Sequence, residues 1–150
     1  MSSDRRFDWG GIGPDRTHYV SAPEALAMLD VLVVAHVDLD VETGIADGNA
    51  WARLGRDDRW AVISTPGSRW FSVEVDSRHR TQLVDETSSR DESARLLAAY
   101  VEIASSYVRS DARPERSGLL GASVVTVEAD GHTFALTRSW GARLRAAFGR

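Results

Sequence analysis

The sequence contains no cysteine and no lysine among its 150 residues. The absence of cysteine excludes disulfides, thiolate nucleophiles and zinc sites built on sulfur. The absence of lysine excludes Schiff-base chemistry, pyridoxal enzymes and the lysine of a phosphate-binding loop. All 18 basic side chains are therefore arginine. A chain of this length buries roughly two thirds of the surface that it exposes when unfolded, so it can fold without cross-links.

Long apolar segments are also missing. No apolar run approaches the roughly 18 residues that span a membrane, and residues 1–10 lack the apolar centre of a secretion signal. We therefore expect a cytoplasmic protein that does not associate with a membrane. Glycine-rich residues 1–15 indicate a flexible arm, and residues 16–150 are expected to form a single domain. The G-G-I-G run at 10–13 follows no strand, so it does not predict dinucleotide binding.

The charge is small in total but unevenly distributed. The formal net charge is -4, which does not identify a partner by itself. Residues 17–52 carry six carboxylates and no arginine, whereas residues 132–150 carry four arginines and no carboxylate. These segments are either complementary parts of one fold or an acidic surface displayed for a basic partner.

Local patterns predict both helices and strands. Ser21, Pro23 and Glu24 are typical of a helix start, so we expect a helix over 22–31 and then a strand over 32–41. The capping box at 89–92 begins a long amphipathic helix of about five turns. The other expected elements are strands over 50–55, 60–64, 69–76, 81–84, 119–129 and 132–137, and a short helix that begins at Ser139.

Turn signals between the predicted strands indicate an antiparallel sheet. They are GIADGN at 44–49, TPGS at 65–68 and Asp130-Gly131. The strand over 69–76 alternates apolar and polar residues, which indicates one buried and one hydrated face. The sequence therefore predicts an α+β domain with an antiparallel sheet of about five to seven strands. The long helix packs on one face of this sheet, and shorter helices lie near both termini.

An acidic stripe is the first candidate binding feature. Asp38, Asp40 and Glu42 occupy alternate positions, which in a strand would direct all three carboxylates to one side. The segment lacks the glycine and glutamate that a calcium loop requires, so no metal is predicted. The stripe either protects an edge strand from pairing with other sheets or, together with Asp47, docks onto a basic cleft of a protein partner.

Tryptophan is the second candidate feature, with five residues in the chain. Most are expected in or near the core because an indole contributes a large apolar area. Trp60 and Trp70, if exposed beside the acidic strand, would anchor a protein partner. The arginines near both rings are balanced by carboxylates, so the pattern does not predict nucleic-acid binding.

The sequence carries no motif for catalysis, although one enzymatic alternative stays open. Ser123 follows a glycine in the manner of a nucleophile elbow, but the closing glycine is absent. A pocket between the sheet and the long helix, with Tyr100, Glu102 and Tyr107, would suit a domain that binds or hydrolyses a small ligand. The histidines lack the spacing of metal ligands and are expected in exposed turns or edges. They are His18, His36, His79 and His132.

The order of elements resembles that of small actinobacterial immunity proteins, which neutralise secreted polymorphic or type VII toxins. The resemblance covers residues 20–110, including RWAVISTPGSRWFSVEVD at 59–76 and ESARLLAAYVEIASSYV at 92–108. It implies a cytoplasmic, non-enzymatic inhibitor without a cofactor, which occludes the active site of a toxin. Those families share no inhibitory motif, so the acidic stripe is assigned from its own residues. A secretion chaperone or adaptor would present the same surface, and the sequence does not separate the two.

Overall fold

A computed structural model describes residues 19–85, 89–117 and 121–138. The described chain is α+β, with two helices and one antiparallel sheet of eight strands, which is larger than the five to seven predicted. The predicted arm at 1–15 and the predicted helix at Ser139 lie outside the described residues. The helices are α1 (Ala22–Val33) and α2 (Arg90–Arg109), and the strands are β1 (Asp40–Ala46), β2 (Asn49–Arg56), β3 (Arg59–Thr65), β4 (Arg69–Val75), β5 (Arg80–Asp85), β6 (Glu115–Ser117), β7 (Ala122–Ala129) and β8 (His132–Thr137).

The sheet has the order β1-β2-β3-β4-β5-β8-β7-β6. The first five strands form a meander in chain order, and every neighbouring pair is antiparallel. Strand β8 then joins β5 through the register pair Arg80 and Thr137. Helix α2 thus leads the chain back so that the last hairpin extends the meander.

Three hairpins of the described chain close with two-residue turns, and in two of them both turn residues have positive φ. Asp47 and Gly48 have φ of 53° and 78°, and Asp130 and Gly131 have φ of 50° and 73°. Positive φ at both positions is the signature of a primed turn, whose twist matches that of the flanking strands. The predicted turn at Asp130-Gly131 is confirmed. The turn predicted over 44–49 is shorter than expected and consists of Asp47 and Gly48.

Helix α1 begins as predicted but ends later. The Ser21 side chain accepts a hydrogen bond from the Glu24 amide at 3.3 Å, which caps the first turn. Ala25, Leu29 and Val33 are buried at intervals of four residues. The helix therefore continues to Val33 because this residue completes the buried stripe.

The predicted strand over 32–41 is wrong. Its first two residues belong to α1, the next six form a turn region, and β1 begins only at Asp40. The β-branched valines there favoured a strand by local propensity, but the packing of α1 on the sheet overrides that preference. As a result, Asp38 lies in the turn before β1 rather than within a strand.

The connection into α1 packs against the β3–β4 turn. The Ser68 hydroxyl accepts a hydrogen bond from the Val20 amide at 2.8 Å and donates one to the Val20 carbonyl at 3.1 Å. Gly67 has φ of 120°, and a Cβ atom there would lie 2.2 Å from the Val20 carbonyl oxygen. Only glycine allows the two backbone segments to approach so closely.

Helix α2 carries the predicted capping box. The Ser89 hydroxyl accepts from the Glu92 amide at 3.2 Å, and the Glu92 carboxylate accepts from the Ser89 amide at 3.4 Å. At the other end, the Arg59 guanidinium lies 4.0 Å from the centre of the Tyr107 ring. It donates to the Tyr107 carbonyl at 3.0 and 3.3 Å and to the Ala112 carbonyl at 3.0 Å. A cation thereby binds the carbonyl end of the helix, where the helix dipole favours positive charge. Neither helix of the described chain has the length and apolar character needed to cross a membrane.

The core lies between the helices and one face of the sheet. Ala52, Ile63 and Val73 face one another in register on β2, β3 and β4, and each is fully buried. Leu97 and Ile103 of α2 are fully buried in the same cluster. Side chains on the opposite face of these strands are half-buried, as alternation along a strand requires. We call this opposite face of β1–β5 the open face.

Candidate functional site

Four of the predicted binding residues lie on the open face. The register places Asp40 opposite Gly55 and Glu42 opposite Arg53, and it places Gly55 opposite Trp60. Directly opposite residues share a face, so these side chains lie on one surface. Trp70 has the same orientation on β4. The open face carries Asp40, Glu42, Trp51, Arg53, Trp60, Val62, Trp70, Glu74 and Arg80.

Trp60 stands between two arginines on this face. The guanidinium carbon of Arg53 lies 5.8 Å from the centre of the indole, and that of Arg78 lies 5.5 Å away. Both distances fall within the range of cation–π attraction. Arg78 also forms an ion pair with Glu74 at 3.1 Å. The indole is therefore held at the centre of a group of charged side chains.

The charges of the open face are matched across neighbouring strands. Glu42 of β1 lies opposite Arg53 of β2, and Glu74 of β4 lies opposite Arg80 of β5. Opposite charges in directly facing positions stabilise a sheet, whereas like charges would destabilise it. The open face thus presents tryptophans among charged side chains of both signs.

Trp51 extends the aromatic surface toward the edge of the sheet, and the sequence reasoning did not select it. Trp51 faces Gly44 across β1 and β2. A Cβ atom built on Gly44 would lie 2.9 Å from Cζ2 of the indole. The glycine therefore lets the ring lie flat over the edge strand. The pairing of a glycine with an aromatic residue across a hairpin was the signal that would have identified Trp51.

The predicted pair Trp60 and Trp70 do not meet. The Asp76 amide donates to the Trp60 carbonyl at 3.1 Å, so Trp60 is level with Asp76 at the far end of β4. Trp70 lies six residues earlier on that strand, which corresponds to about 20 Å. Trp51 lies between them, because it is level with Ser64 and Ser72. The three indoles thus extend along the face instead of forming one cluster.

The acidic stripe is divided by the structure. The Asp38 carboxylate accepts hydrogen bonds from Arg109 Nε at 3.0 Å and Nη2 at 2.6 Å, and these bonds lower its pKa to about 2. Arg109 Nη2 also donates to His36 Nδ1 at 3.0 Å. Asp38 therefore joins the turn before β1 to the end of α2. Asp40 and Glu42 lie on the edge strand, and Asp47 lies in the exposed β1–β2 turn.

The residues of the enzymatic alternative do not form one site. Tyr100 and Tyr107 are buried, whereas Glu102 is exposed beside an open cleft of about 260 Å³. Tyr100 packs edge-on against Phe71 with ring centres 6.4 Å apart. Tyr107 donates to Asp76, and burial together with that bond raises the pKa of Tyr107 to about 12. Both phenols therefore serve the core rather than a shared pocket with Glu102.

The prediction that the histidines are exposed is wrong for His79 and His36. His79 has no exposed surface, and His36 is 9% exposed. His79 Nδ1 lies 2.8 Å from the Ser77 hydroxyl and 3.1 Å from the Ser77 carbonyl oxygen. Nε2 lies within hydrogen-bond distance of the Ser123 hydroxyl, at 2.8 Å. His132 is exposed as predicted, and His18 lies outside the described residues.

The buried His79 joins β7 to the turn between β4 and β5. Burial is the main cause that lowers the pKa of His79, so the neutral form is favoured in the folded protein. A serine hydroxyl within hydrogen-bond distance of a histidine also occurs in hydrolases, where a carboxylate orients the ring. Here a backbone carbonyl orients the ring inside the core. Within the described ranges, no group of three or more histidine and carboxylate side chains is placed to hold a metal ion.

The functional proposal is based on these structural features alone. Comparison of the chain with protein-family models, with curated proteins and with solved structures gave no match.

Proposed function

We propose that this protein is a non-enzymatic, protein-binding inhibitor of the immunity type, which occludes the active site of a cognate secreted toxin. The proposal places it in the cytoplasm and requires no cofactor. The observation that carries it is the open face, where Trp60 stands between Arg53 and Arg78 and Trp51 covers the edge strand. Asp40 and Glu42 border this surface on the side of β1.

The composition of the open face fits protein recognition. Tryptophan and arginine are the residues most enriched among those that dominate binding energy at interfaces. Residues of opposite charge also stand in facing positions on this surface, Glu42 opposite Arg53 and Glu74 opposite Arg80, and such facing charges stabilise the sheet. The broad antiparallel face offers a rigid surface, so little conformational entropy is lost on binding.

The acidic border supports a basic partner. Complementary charge increases the association rate and orients the partner before contact. A toxin that grips phosphates would carry such a basic cleft. Asp38 contributes less to this attraction than Asp40 or Glu42, because its carboxylate is already bound to Arg109.

The first experiment is capture of the tagged protein from its own host, followed by co-expression with the partner that is recovered. We expect a one-to-one complex with a toxin-like chain and rescue of growth when both are expressed. Trp60→Ala should weaken the complex by about 30-fold, the effect of losing one dominant tryptophan of about 2 kcal/mol.

The matched control is Glu128→Ala, an exposed residue on β7, far from Trp60 in the strand order. It should leave the affinity unchanged. Equal affinities of the Trp60 and Glu128 variants, with both variants folded, would remove the open face from the proposal. If the captured partner is not toxic and this protein promotes its secretion, the protein is a secretion chaperone or adaptor instead.

A further inference from the structure

The outer side of β1 is an unpaired edge in the described chain. Strand β1 stands first in the sheet order, and its only neighbour among the described strands is β2. It is seven residues long, whereas β6 at the other edge has three. A long edge strand presents a row of backbone groups that another strand can bind.

The β1–β2 hairpin determines which backbone groups face outward. Its two-residue turn makes Ala46 and Asn49 a hydrogen-bonded pair, and such pairs alternate along an antiparallel ladder. The register from Asp40 to Ala46 is continuous, so the alternation holds along the whole strand. It follows that the N–H and C=O groups of Val41, Thr43 and Ile45 point away from β2.

The two sides of this edge differ in chemistry. On the open face, Asp40 and Glu42 are exposed carboxylates. On the side of the helices, Ile45 is 46% exposed. Val34 of the α1 C-terminus is 71% exposed and follows Asp30 by one helical turn. Asp30 accepts a hydrogen bond from Thr43 of β1 at 2.6 Å, so this side of α1 borders the edge.

We infer that β1 binds an extended strand of a protein partner, in which basic residues alternate with apolar ones. The inference rests on the proposed function and specifies how the partner docks. The added strand pairs with the outward groups of Val41, Thr43 and Ile45. Its basic side chains face Asp40 and Glu42, and its apolar side chains lie beside Val34 and Ile45.

The charge of the edge selects this occupant over a second copy of β1. A second copy would bring its own carboxylates to an edge that already carries Asp30, Asp40 and Glu42. Like charges in facing positions oppose the pairing of two strands, whereas a strand with arginine or lysine at alternate positions is attracted to these carboxylates. The same carboxylates that prevent pairing between identical chains therefore favour a cationic strand.

The test uses three fluorescein-labelled heptapeptides and the full-length protein. The peptide RVRTRVR has the required alternation, RRVTVRR has the same composition without it, and EVETEVE reverses the charge. Fluorescence anisotropy should show that RVRTRVR binds about tenfold more tightly than RRVTVRR, with no binding of EVETEVE. Amide NMR shifts should change at Val41, Thr43 and Ile45. Equal affinity for the first two peptides, or absence of binding by all three, would overturn the inference.

Two protein variants locate the binding. Ile45→Pro removes an outward N–H without breaking the ladder to β2, and Ile45→Ala keeps that N–H while shortening the same side chain. The proline variant should bind RVRTRVR about tenfold more weakly than the alanine variant. The double variant with Asp40→Asn and Glu42→Gln keeps the shape of both side chains and removes their charge. It should bind RVRTRVR about tenfold more weakly than the wild-type protein, and it provides the test if the proline variant does not fold. Unchanged binding by that double variant would overturn the inference.

Experiments on the captured partner separate this inference from the proposed function. If Ile45→Pro keeps the partner while Trp60→Ala loses it, the edge inference fails and the proposed function stands. If sedimentation shows that the protein itself dimerises and that Ile45→Pro makes it monomeric, a second copy occupies the edge and the inference fails.

Discussion

Replacing Arg59 with alanine tests how the end of α2 is attached to the sheet. The guanidinium lies 4.0 Å from the centre of the Tyr107 ring and donates to the carbonyls of Tyr107 and Ala112. The Tyr107 carbonyl also accepts from the amide and the hydroxyl of Ser110. The variant would therefore remove a charged donor without leaving that carbonyl unpaired.

The expected loss follows from these contacts. Hydrogen bonds from a charged donor contribute about 1.5 kcal/mol at the lower end of their range, which applies because the acceptor keeps other donors. The stacked cation adds about 1 kcal/mol, and the position at a helix C-terminus adds about 0.5 kcal/mol. We expect Arg59→Ala to lower the free energy of unfolding by about 3 kcal/mol, which corresponds to a fall in Tm of about 6–12 °C at this chain length.

Urea denaturation of three variants provides the assay. Arg59→Lys keeps the charge and the apolar stem but loses the planar group, so its free energy of unfolding should lie between those of wild type and Arg59→Ala. Arg95→Ala, at an exposed position on α2, should change the free energy of unfolding by less than about 0.5 kcal/mol. The m-value should stay constant throughout. If Arg59→Ala is no more destabilising than Arg95→Ala, the contacts of Arg59 do not stabilise the fold.

Two further predictions concern backbone geometry and protonation. Gly48→Ala should lower the free energy of unfolding by about 1 kcal/mol, and Gly67→Ala should lower it by well over that amount. Both glycines have positive φ, but only Gly67 has backbone atoms 2.2 Å from the new Cβ. Similar Tm values for the two variants would contradict the close approach. Because burial lowers the pKa of His79 below its ordinary value of 6.5, the unfolded chain binds a proton there that the folded chain does not. Stability from His79 should thus be complete above pH 6.5 and decline as the pH falls toward the folded pKa. In urea titrations between pH 7.5 and pH 5, His79→Gln should flatten this decline, and an unchanged slope would contradict the prediction.

Local chemistry made several elements predictable. The capping box of α2 involves residues three apart, and the turn at Asp130-Gly131 depends on two residues, so short-range rules suffice for both. The strand over 32–41 was wrong because its β-branched valines favour a strand locally, whereas Leu32 and Val33 belong to the helix that packs on the sheet and residues 34–39 form a turn region. Strand β6 has only three residues and shows no alternation, so the sequence offered no signal for it.

The candidate site was predictable only in part. Asp40 and Glu42 share a face because side chains alternate along a strand, which a sequence reveals directly. Trp60 and Trp70 join that face only through the register of β1–β4. The bond between Asp38 and Arg109 joins residues 71 positions apart, and no local pattern reports such a contact. The burial of His79 could not be predicted for the same reason, because Ser123 approaches it from the distant strand β7.

The order of the strands also has a consequence for synthesis on the ribosome. Helix α1 and the five-stranded meander are complete by residue 85, and each strand pairs with its neighbour in the chain. Short connections of this kind form early, while the polypeptide is still being extended. The inner face with Ala52, Ile63 and Val73 then has no α2 to cover it until about 20 more residues have emerged. During that interval the apolar side chains that α2 later covers stay exposed, until the last turn of α2 reaches Arg59.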